Sequence, residues 1–434
     1  MDSKPIKVQN VFANLNFRLV FFGALVSELG ALLYSFAVSF YILEITDNNA
    51  FLQGLYLALN GVALLIFTPV GGVLGDRLNK AKIMYVCDFL KGSVIILATL
   101  LMLVFPKTNA HIVILFVLGI IGNAISGIFT PTSGSLFPQI LLEEQLQQAN
   151  SYFSVKNALE GILGIVLAGV LYATIPIYVL FFIVGSCFVA SGFSEMFIRY
   201  DYKPSTEKLT FKVATRDIRE GLVYLRDRKA ILVMMCAILF INFFFAPISG
   251  NFLPYFVKTD VAGAPSYLFD TVLKPELWSS IFSVCFGVSS LLGALILSTR
   301  PQADKVGRKC AFRFCCMAIL MIAMTVLYHI LVSKNVWLNG FLIALCLGCV
   351  LMGFLISFIH ISINTGLMKI VDKDMLSKVT SITSIGTQGM VPIASVLAGV
   401  ILKTLGNTFL LAFCSLGFSI TALILMFNKH TKEV

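Results

Sequence analysis

The chain alternates long apolar runs with short polar segments. Apolar runs of about 18 residues or more recur along its whole length, and each is long enough to cross a hydrocarbon core about 30 Å thick as a helix. In lipid such a segment must be helical, because its backbone groups find no water to bond. The pattern predicts twelve helices, over about residues 17–43, 51–74, 82–104, 111–131, 151–174, 177–198, 230–256, 276–298, 311–333, 337–362, 378–402 and 407–427.

The longest polar stretch divides these helices into two sets of six. It covers residues 199–229 and is rich in Lys and Arg, so we interpret it as a cytoplasmic linker between an N-terminal bundle, 1–198, and a C-terminal bundle, 230–434. Within it Ile218, Leu222 and Leu225 recur at helical spacing. That spacing indicates a short amphipathic helix, which either lies on the membrane surface or is a solvated connector.

Composition excludes an ordinary soluble protein. Hydrophobic residues make up 58% of the 434 residues and charged residues only 12%, whereas soluble globular domains carry about 25% charged residues. The predicted fold class is therefore an all-α membrane protein of about twelve transmembrane helices in two pseudo-symmetric six-helix bundles.

The distribution of basic residues predicts the orientation. With an even number of helices, 25 Lys and Arg residues fall on the side of the two termini and five on the other, with Lys91 and Lys156 inside helices. The excess places both termini in the cytoplasm of a multi-pass cell-membrane protein. The net charge of +10 is then explained by topology and by attraction to anionic membrane lipids, with no role for nucleic acid. The first apolar segment is too long for a cleavable signal peptide and is expected to remain as an anchor.

The two halves share an internal repeat at an offset of 230 residues. Leu167-Ala168-Gly169-Val170 aligns with Leu397-Ala398-Gly399-Val400, and the acidic loop residue Glu144 aligns with Asp374. Parallel six-helix repeats are typical of transporters.

Residue types argue against an enzyme. The ten Cys residues lie mostly in predicted helices, and the four His residues are scattered. We therefore expect no catalytic residues, no metal site and no cofactor.

Two loops carry a shared charged motif, one after the second helix of each half. The first runs from Gly71 to Lys82 and contains Gly72, Asp76, Arg77 and Lys80; the second contains Asp304, Lys305, Gly307, Arg308 and Lys309. These loops resemble the G-x-x-x-D-R/K-x-G-R-K/R signature of the major facilitator superfamily. Asn79 stands where that family has Gly, and Arg300 replaces the leading Gly of the second copy.

The resemblance covers nearly the whole chain and implies two six-helix bundles with alternating access to a central cavity. It also implies that Gly72, Asp76, Arg77, Lys80, Asp304 and Arg308 form a latch that holds one conformation, the glycine allowing close helix approach. Within the superfamily the chain is most similar to the macrolide-efflux-like exporters. The resemblance rests on short motifs such as Lys82-Ile83-Met84, Thr130-Pro131 and Glu144-Gln145-Leu146, and Pro131 and Pro138 are expected to end helix 4. The drug-antiporter G-P pair of helix 5 is replaced by Gly164-Ile165.

Charged residues at membrane depth are costly and mark candidate sites. Glu28 lies near the middle of helix 1 with no basic residue within a turn, and helix 1 lines the cavity in the family that the chain resembles. Lys156 and Glu160 are four apart on helix 5 and can pair, as can Asp88 and Lys91 on helix 3. Glu28, Glu160, Lys156 and Asp88 are the candidates for proton coupling or substrate binding.

We therefore expect a monomeric secondary transporter that uses the proton as coupling ion and exports small amphipathic or hydrophobic molecules. The alternatives are an uptake permease for a metabolite and a membrane receptor or lipid-handling protein that does not transport.

Overall fold

The computed structural model describes residues 10–105, 109–200, 202, 220, 223–226, 228–298, 306–371 and 373–428. Helices dominate these residues, which contain no β-strand. Twelve helical segments are long and apolar enough to cross a membrane, and we number them as spans 1 to 12: Leu15–Ile45, Ala50–Gly75, Lys80–Val104, Asn109–Leu136, Val155–Thr174, Ile177–Glu195, Lys229–Val261, Pro275–Leu297, Gly307–Val332, Leu338–Ile363, Ile385–Thr404 and Asn407–Phe427. The predicted fold class is confirmed.

The predicted end of helix 4 is wrong. The fourth helix runs from Asn109 to Ile140 and continues past both Pro131 and Pro138. A proline removes one backbone hydrogen bond and does not end a helix whose neighbours hold it in place. Here the Thr132 hydroxyl bridges the Ile128 carbonyl oxygen (2.9 Å) and that of Gly71 in span 2 (3.3 Å).

Four π-helical turns interrupt the α-helices of the described spans. They are Glu160–Gly164 in span 5, Ile248–Phe252 and Val257–Val261 in span 7, and Tyr328–Val332 in span 9. Span 7 is thus built from the α-helices Lys229–Pro247 and Leu253–Phe256 with a widened turn after each. Such single wide turns insert one extra residue, change which face carries the following side chains, and are frequent at functional sites.

The chain divides into two compact units. The first comprises Met1–Val38 and Val62–Lys208, and the second Ser39–Gly61 and Leu209–Val434. The end of span 1 and the start of span 2 therefore belong with the C-terminal helices. The predicted boundaries at 198 and 230 place this segment in the N-terminal bundle instead. Most of the predicted linker lies outside the described residues, and residues 223–226 are helical.

In the first unit, span 3 packs along spans 6 and 4. Spans 3 and 6 approach closely at two glycines: a Cβ atom on Gly92 would lie 2.8 Å from the Gly185 carbonyl oxygen. An apolar cluster forms around Phe17 and Met84, and the rings of Phe12, Phe21 and Phe153 pack against it.

In the second unit, spans 8 and 10, spans 9 and 12, and spans 7 and 11 form the main contacts. The Ser39–Gly61 segment packs closely on span 11. A Cβ atom on Gly54 would lie 2.4 Å from the Ser395 carbonyl oxygen, and one on Gly399 would lie 2.7 Å from the Ala50 carbonyl oxygen. Small residues allow this backbone approach, as is usual where membrane helices meet.

The internal repeat extends to whole helices. The segment that begins at Glu143 and ends at Thr174 has its counterpart in the helix Lys373–Thr404, offset by 230 residues at both ends. Ala168 and Ala398 are fully buried, while Val170 and Val400 are both exposed. The repeated Leu-Ala-Gly-Val motif therefore buries its alanine and exposes its valine in each unit.

Candidate functional site

A buried lysine joins two carboxylates in the first unit. The Lys156 Nζ donates to Glu28 Oε2 at 2.5 Å and to Glu160 Oε2 at 3.1 Å. Span 1 supplies Glu28 and span 5 supplies the other two residues. The predicted pairing of Lys156 with Glu160 is confirmed. The expectation that Glu28 is unpaired is wrong, because its partner lies 128 positions away in the sequence.

Burial differs sharply across this cluster. The Lys156 side chain is 1% exposed and that of Glu160 is 5% exposed, whereas half of the Glu28 side chain is accessible. The Phe153 ring covers the ammonium group from 5.5 Å. Glu160 Oε1 has no hydrogen-bond partner in the described structure. Two carboxylates and one ammonium sum to one excess negative charge when all are ionised, so binding one proton makes the cluster neutral.

The local structure explains why the cluster forms here. Glu160 is the first residue of the π-helical turn Glu160–Gly164, and its carboxylate accepts from Lys156 one turn earlier. A Cβ atom on Gly164 would lie 3.0 to 3.1 Å from the side chains of Leu32 and Leu29. The absence of a side chain at Gly164 thus lets span 5 pack closely on span 1, beside Glu28.

The repeat provides an internal comparison. The second-unit counterparts of Lys156 and Glu160, at the offset of 230, are Gly386 and Met390. A Cβ atom on Gly386 would lie 2.7 Å from the Leu239 Cδ2 atom of span 7, so this position of the second unit is packed with apolar groups. The same helix pairing forms without charges there. The ionic cluster is therefore not required by the fold, which favours a functional role.

Asp88 lies apart from this cluster. It is buried in span 3 beside span 6. Lys91, its expected partner, donates to the Ser126 hydroxyl at 2.6 Å and lies over the Phe188 ring. Within the described part of the chain no direct ion pair joins Asp88 to Lys91, although their charges attract each other through space.

The candidate latch is only partly described. The side chains of Asp76 and Arg77 lie outside the described residues, as does Asp304. Arg308 is exposed. Lys80 is buried, and its backbone N–H donates to the Tyr200 hydroxyl at 2.8 Å. Burial raises the pKa of the Tyr200 phenol, which therefore stays protonated at neutral pH.

The close helix approach lies at a different glycine from the one expected. A Cβ atom on Gly72 would meet no atom within 4 Å. One on Gly71 would lie 2.5 Å from Ile128 Cα and 2.6 Å from the Ile128 carbonyl oxygen. Gly71 is thus the residue that allows spans 2 and 4 to meet.

Sequence reasoning missed two polar groups in the second unit. The Lys258 Nζ donates to Glu276 at 2.9 Å and lies 4.0 Å from Glu44. Asp260 accepts from the Asn407 side chain at 2.7 Å and from the Tyr328 hydroxyl at 3.3 Å. Each group combines residues from distant parts of the sequence, so spacing gave no signal. Glu195 was also missed, although an acid at the end of an apolar run was a signal that could have found it.

Known proteins resemble the chain over nearly its whole length. The sequence profile of the Major Facilitator Superfamily matches residues 20–395. The uncharacterised MFS-type transporter YkuC of Bacillus subtilis (strain 168) is 22% identical over 384 residues, covering 86% of this chain and 82% of its own length. Macrolide efflux protein A of Streptococcus pyogenes is 22% identical over 399 residues, covering 90% of each chain.

Solved structures share the fold. A bacterial homologue of the iron transporter ferroportin superposes with a TM-score of 0.75 at 15% identity, over 98% of this chain and 100% of its own. A D-xylose-proton symporter superposes with a TM-score of 0.69 at 13% identity, over 98% and 99%. A profile match of this length, on twelve spans in two repeated units, establishes that the chain is a membrane-embedded transporter of the Major Facilitator Superfamily.

Proposed function

We propose that this protein exports small amphipathic or hydrophobic molecules in exchange for protons, and that Glu28, Lys156 and Glu160 form its proton-coupling site. The observation that supports the proposal is the buried Lys156 held between two carboxylates. The uncharged counterparts in the second unit, Gly386 and Met390, also support the proposal.

The geometry suggests how a proton would act. Glu28 is half exposed and accessible to water, whereas Glu160 is buried. Protonation of Glu28 weakens its bond to Lys156 and leaves the ammonium paired with Glu160 alone. Because Glu28 is on span 1 and Lys156 on span 5, the proton changes the attraction between two helices. A ligand shifts a conformational equilibrium only through such a difference between states.

The direction of transport and the substrate class rest on the relatives. Macrolide efflux protein A, similar over 90% of the chain, is named for export of macrolides. We extend export of such compounds to this protein. Uptake of a metabolite is the competing function, and flux measurements distinguish the two.

The test is flux in proteoliposomes with and without a pH gradient, over a panel that includes a macrolide, a lipophilic cation, a nucleoside and a sugar. We expect the gradient to drive movement of the first two. Glu28→Gln keeps shape and hydrogen bonding but cannot titrate, so gradient-driven transport should fall by an order of magnitude or more while downhill exchange of a neutral substrate survives.

Asp270→Asn is the matched control, because it removes an exposed carboxylate from a loop of the second unit. It should leave transport unchanged. Gradient-driven transport that persists in Glu28→Gln would contradict the coupling site. Gradient-driven accumulation of a nucleoside or sugar would favour uptake, and no flux of any compound would favour a receptor or lipid-handling role.

The role of the loop residues Asp76, Arg77, Asp304 and Arg308 as a conformational latch stays a prediction.

A further inference from the structure

A second pair of buried acids lies where spans 3 and 6 meet. Glu195 in span 6 is 0% exposed and Asp88 in span 3 is 3% exposed. The negative charge of Asp88 repels that of Glu195. Neither residue takes part in the Lys156 cluster, and Glu195 belongs to none of the sequence motifs discussed above.

The polar atoms of this pair lack partners. Both carboxylate oxygens of Glu195 and the Oδ2 of Asp88 make no hydrogen bond in the described structure. Ser191 is 1% exposed, lies one helical turn before Glu195 and is a polar neighbour of Asp88. Unsatisfied buried polar groups are costly and require an explanation.

The side chains of Ser191 and Glu195 lie beside a glycine of span 1. A Cβ atom on Gly23 would lie 3.3 Å from the Ser191 hydroxyl oxygen and 3.8 Å from Glu195 Oε1. Spans 3 and 6 pack closely together. The backbones of Gly92 and Gly185 are in contact, and the Phe89 ring lies against Gly192. The Ser191 hydroxyl and the Glu195 carboxylate therefore lie together where span 6 meets span 1.

The charged groups around the pair neutralise it only in part, because the Lys91 ammonium attracts Asp88 and leaves the second carboxylate without a counter-charge. Span 3 contributes Cys87 and Lys91, and the Lys91 ammonium is bound to Ser126 of span 4. Arg18 on span 1 is exposed and forms no ion pair with either acid among the described residues. Glu195 is the last residue of its helix, where the helix dipole disfavours negative charge.

Two ionised carboxylates cannot share an apolar space without a counter-charge. We propose that Asp88 and Glu195 form a proton-binding site that holds one proton in the folded protein, carried on Glu195. The shared proton supplies the donor that the unpaired oxygens lack. This site does not depend on the proposed transport function, and its test needs no substrate.

The first test is thermal unfolding of the purified protein across about pH 6 to about pH 9. A proton that is bound only in the folded state stabilises it at low pH, and this stability is lost as pH rises through the titration of the folded site. We expect the unfolding temperature of the wild type to fall by a few degrees relative to Glu195→Gln, which mimics the protonated acid. Parallel curves for the two proteins would overturn the proposal.

Two control variants accompany this test. Asp270→Asn removes an exposed carboxylate and should keep the wild-type profile. Ser191→Ala removes the neighbouring hydroxyl without removing a titrating group and should also keep the pH-dependent fall.

The second test is labelling with a hydrophobic carbodiimide, which reacts with protonated buried carboxyl groups, followed by peptide mass spectrometry. We expect an adduct on Glu195 that declines as pH rises. Protection by sodium or magnesium ions at constant pH would show a metal cation in the site and overturn the proposal. An adduct that does not change with pH, or none, would overturn it as well.

Discussion

At the residue scale, Lys156 is the centre of the buried ionic cluster. Its ammonium group is almost completely buried and bonded to Glu28 and Glu160. Taking a charge out of water costs several kcal/mol, which its partners offset only while both geometry and ionisation hold. Removing the lysine leaves Glu160 as an uncompensated buried acid, whereas removing both charges leaves only the half-exposed carboxylate of Glu28.

We therefore expect Lys156→Met to lower the free energy of unfolding by about 3–5 kcal/mol. Adding Glu160→Gln to that variant should recover most of the loss, because the two changes are coupled. Thermal unfolding in detergent measures both effects. Lys334→Met, in an exposed position, is the control and should have no effect. Wild-type stability in the Lys156→Met variant would mean that the pair contributes nothing.

At the element scale, glycines set the spacing of the helices. Gly71 and Gly72 are adjacent in span 2 but differ in their surroundings: a Cβ atom on Gly71 meets the backbone of Ile128, and one on Gly72 meets nothing within 4 Å. Backbone atoms cannot rotate away as a flexible side chain can. Spans 2 and 4 must therefore separate if Gly71 gains a side chain.

Gly71→Ala should destabilise the protein by about 1–3 kcal/mol, as overpacking does. Gly72→Ala should be neutral or stabilising by up to about 1 kcal/mol, because alanine favours a helix over glycine. Thermal unfolding of the two variants, side by side, tests this difference. Equal losses at both positions would contradict the assigned helix contact. Loss of transport in a stable Gly72→Ala variant would instead support the family motif acting in another conformation.

At the scale of the whole molecule, the twelve spans and the excess of basic residues predict that both termini lie in the cytoplasm. A cysteine at Asp270, in the exposed loop between spans 7 and 8, should react with a membrane-impermeant maleimide added to intact cells. A cysteine at Arg226, in the linker, should react only after permeabilisation. The reverse pattern would contradict the orientation. The parent protein, with its ten native cysteines, gives the background.

Hydrophobicity along the sequence was sufficient to predict the number and order of the spans. Each segment meets the bilayer requirement within its own residues, since every backbone hydrogen bond of a helix is local. The repeat at an offset of 230 residues was likewise visible in the sequence, and helix ends later matched it. The pairing of Lys156 with Glu160 was predictable because residues four apart share a helix face.

Contacts between distant residues were decided by the tertiary structure alone. Sequence spacing suggested that Glu28 was unpaired, yet packing of span 1 on span 5 brings Lys156 to it. Asp88 and Lys91 have the spacing of a pair, but span 4 offers Ser126 to the lysine, and span 6 places Glu195 near the acid. Membrane depth indicates that a charge needs a partner, whereas helix packing determines which partner it finds.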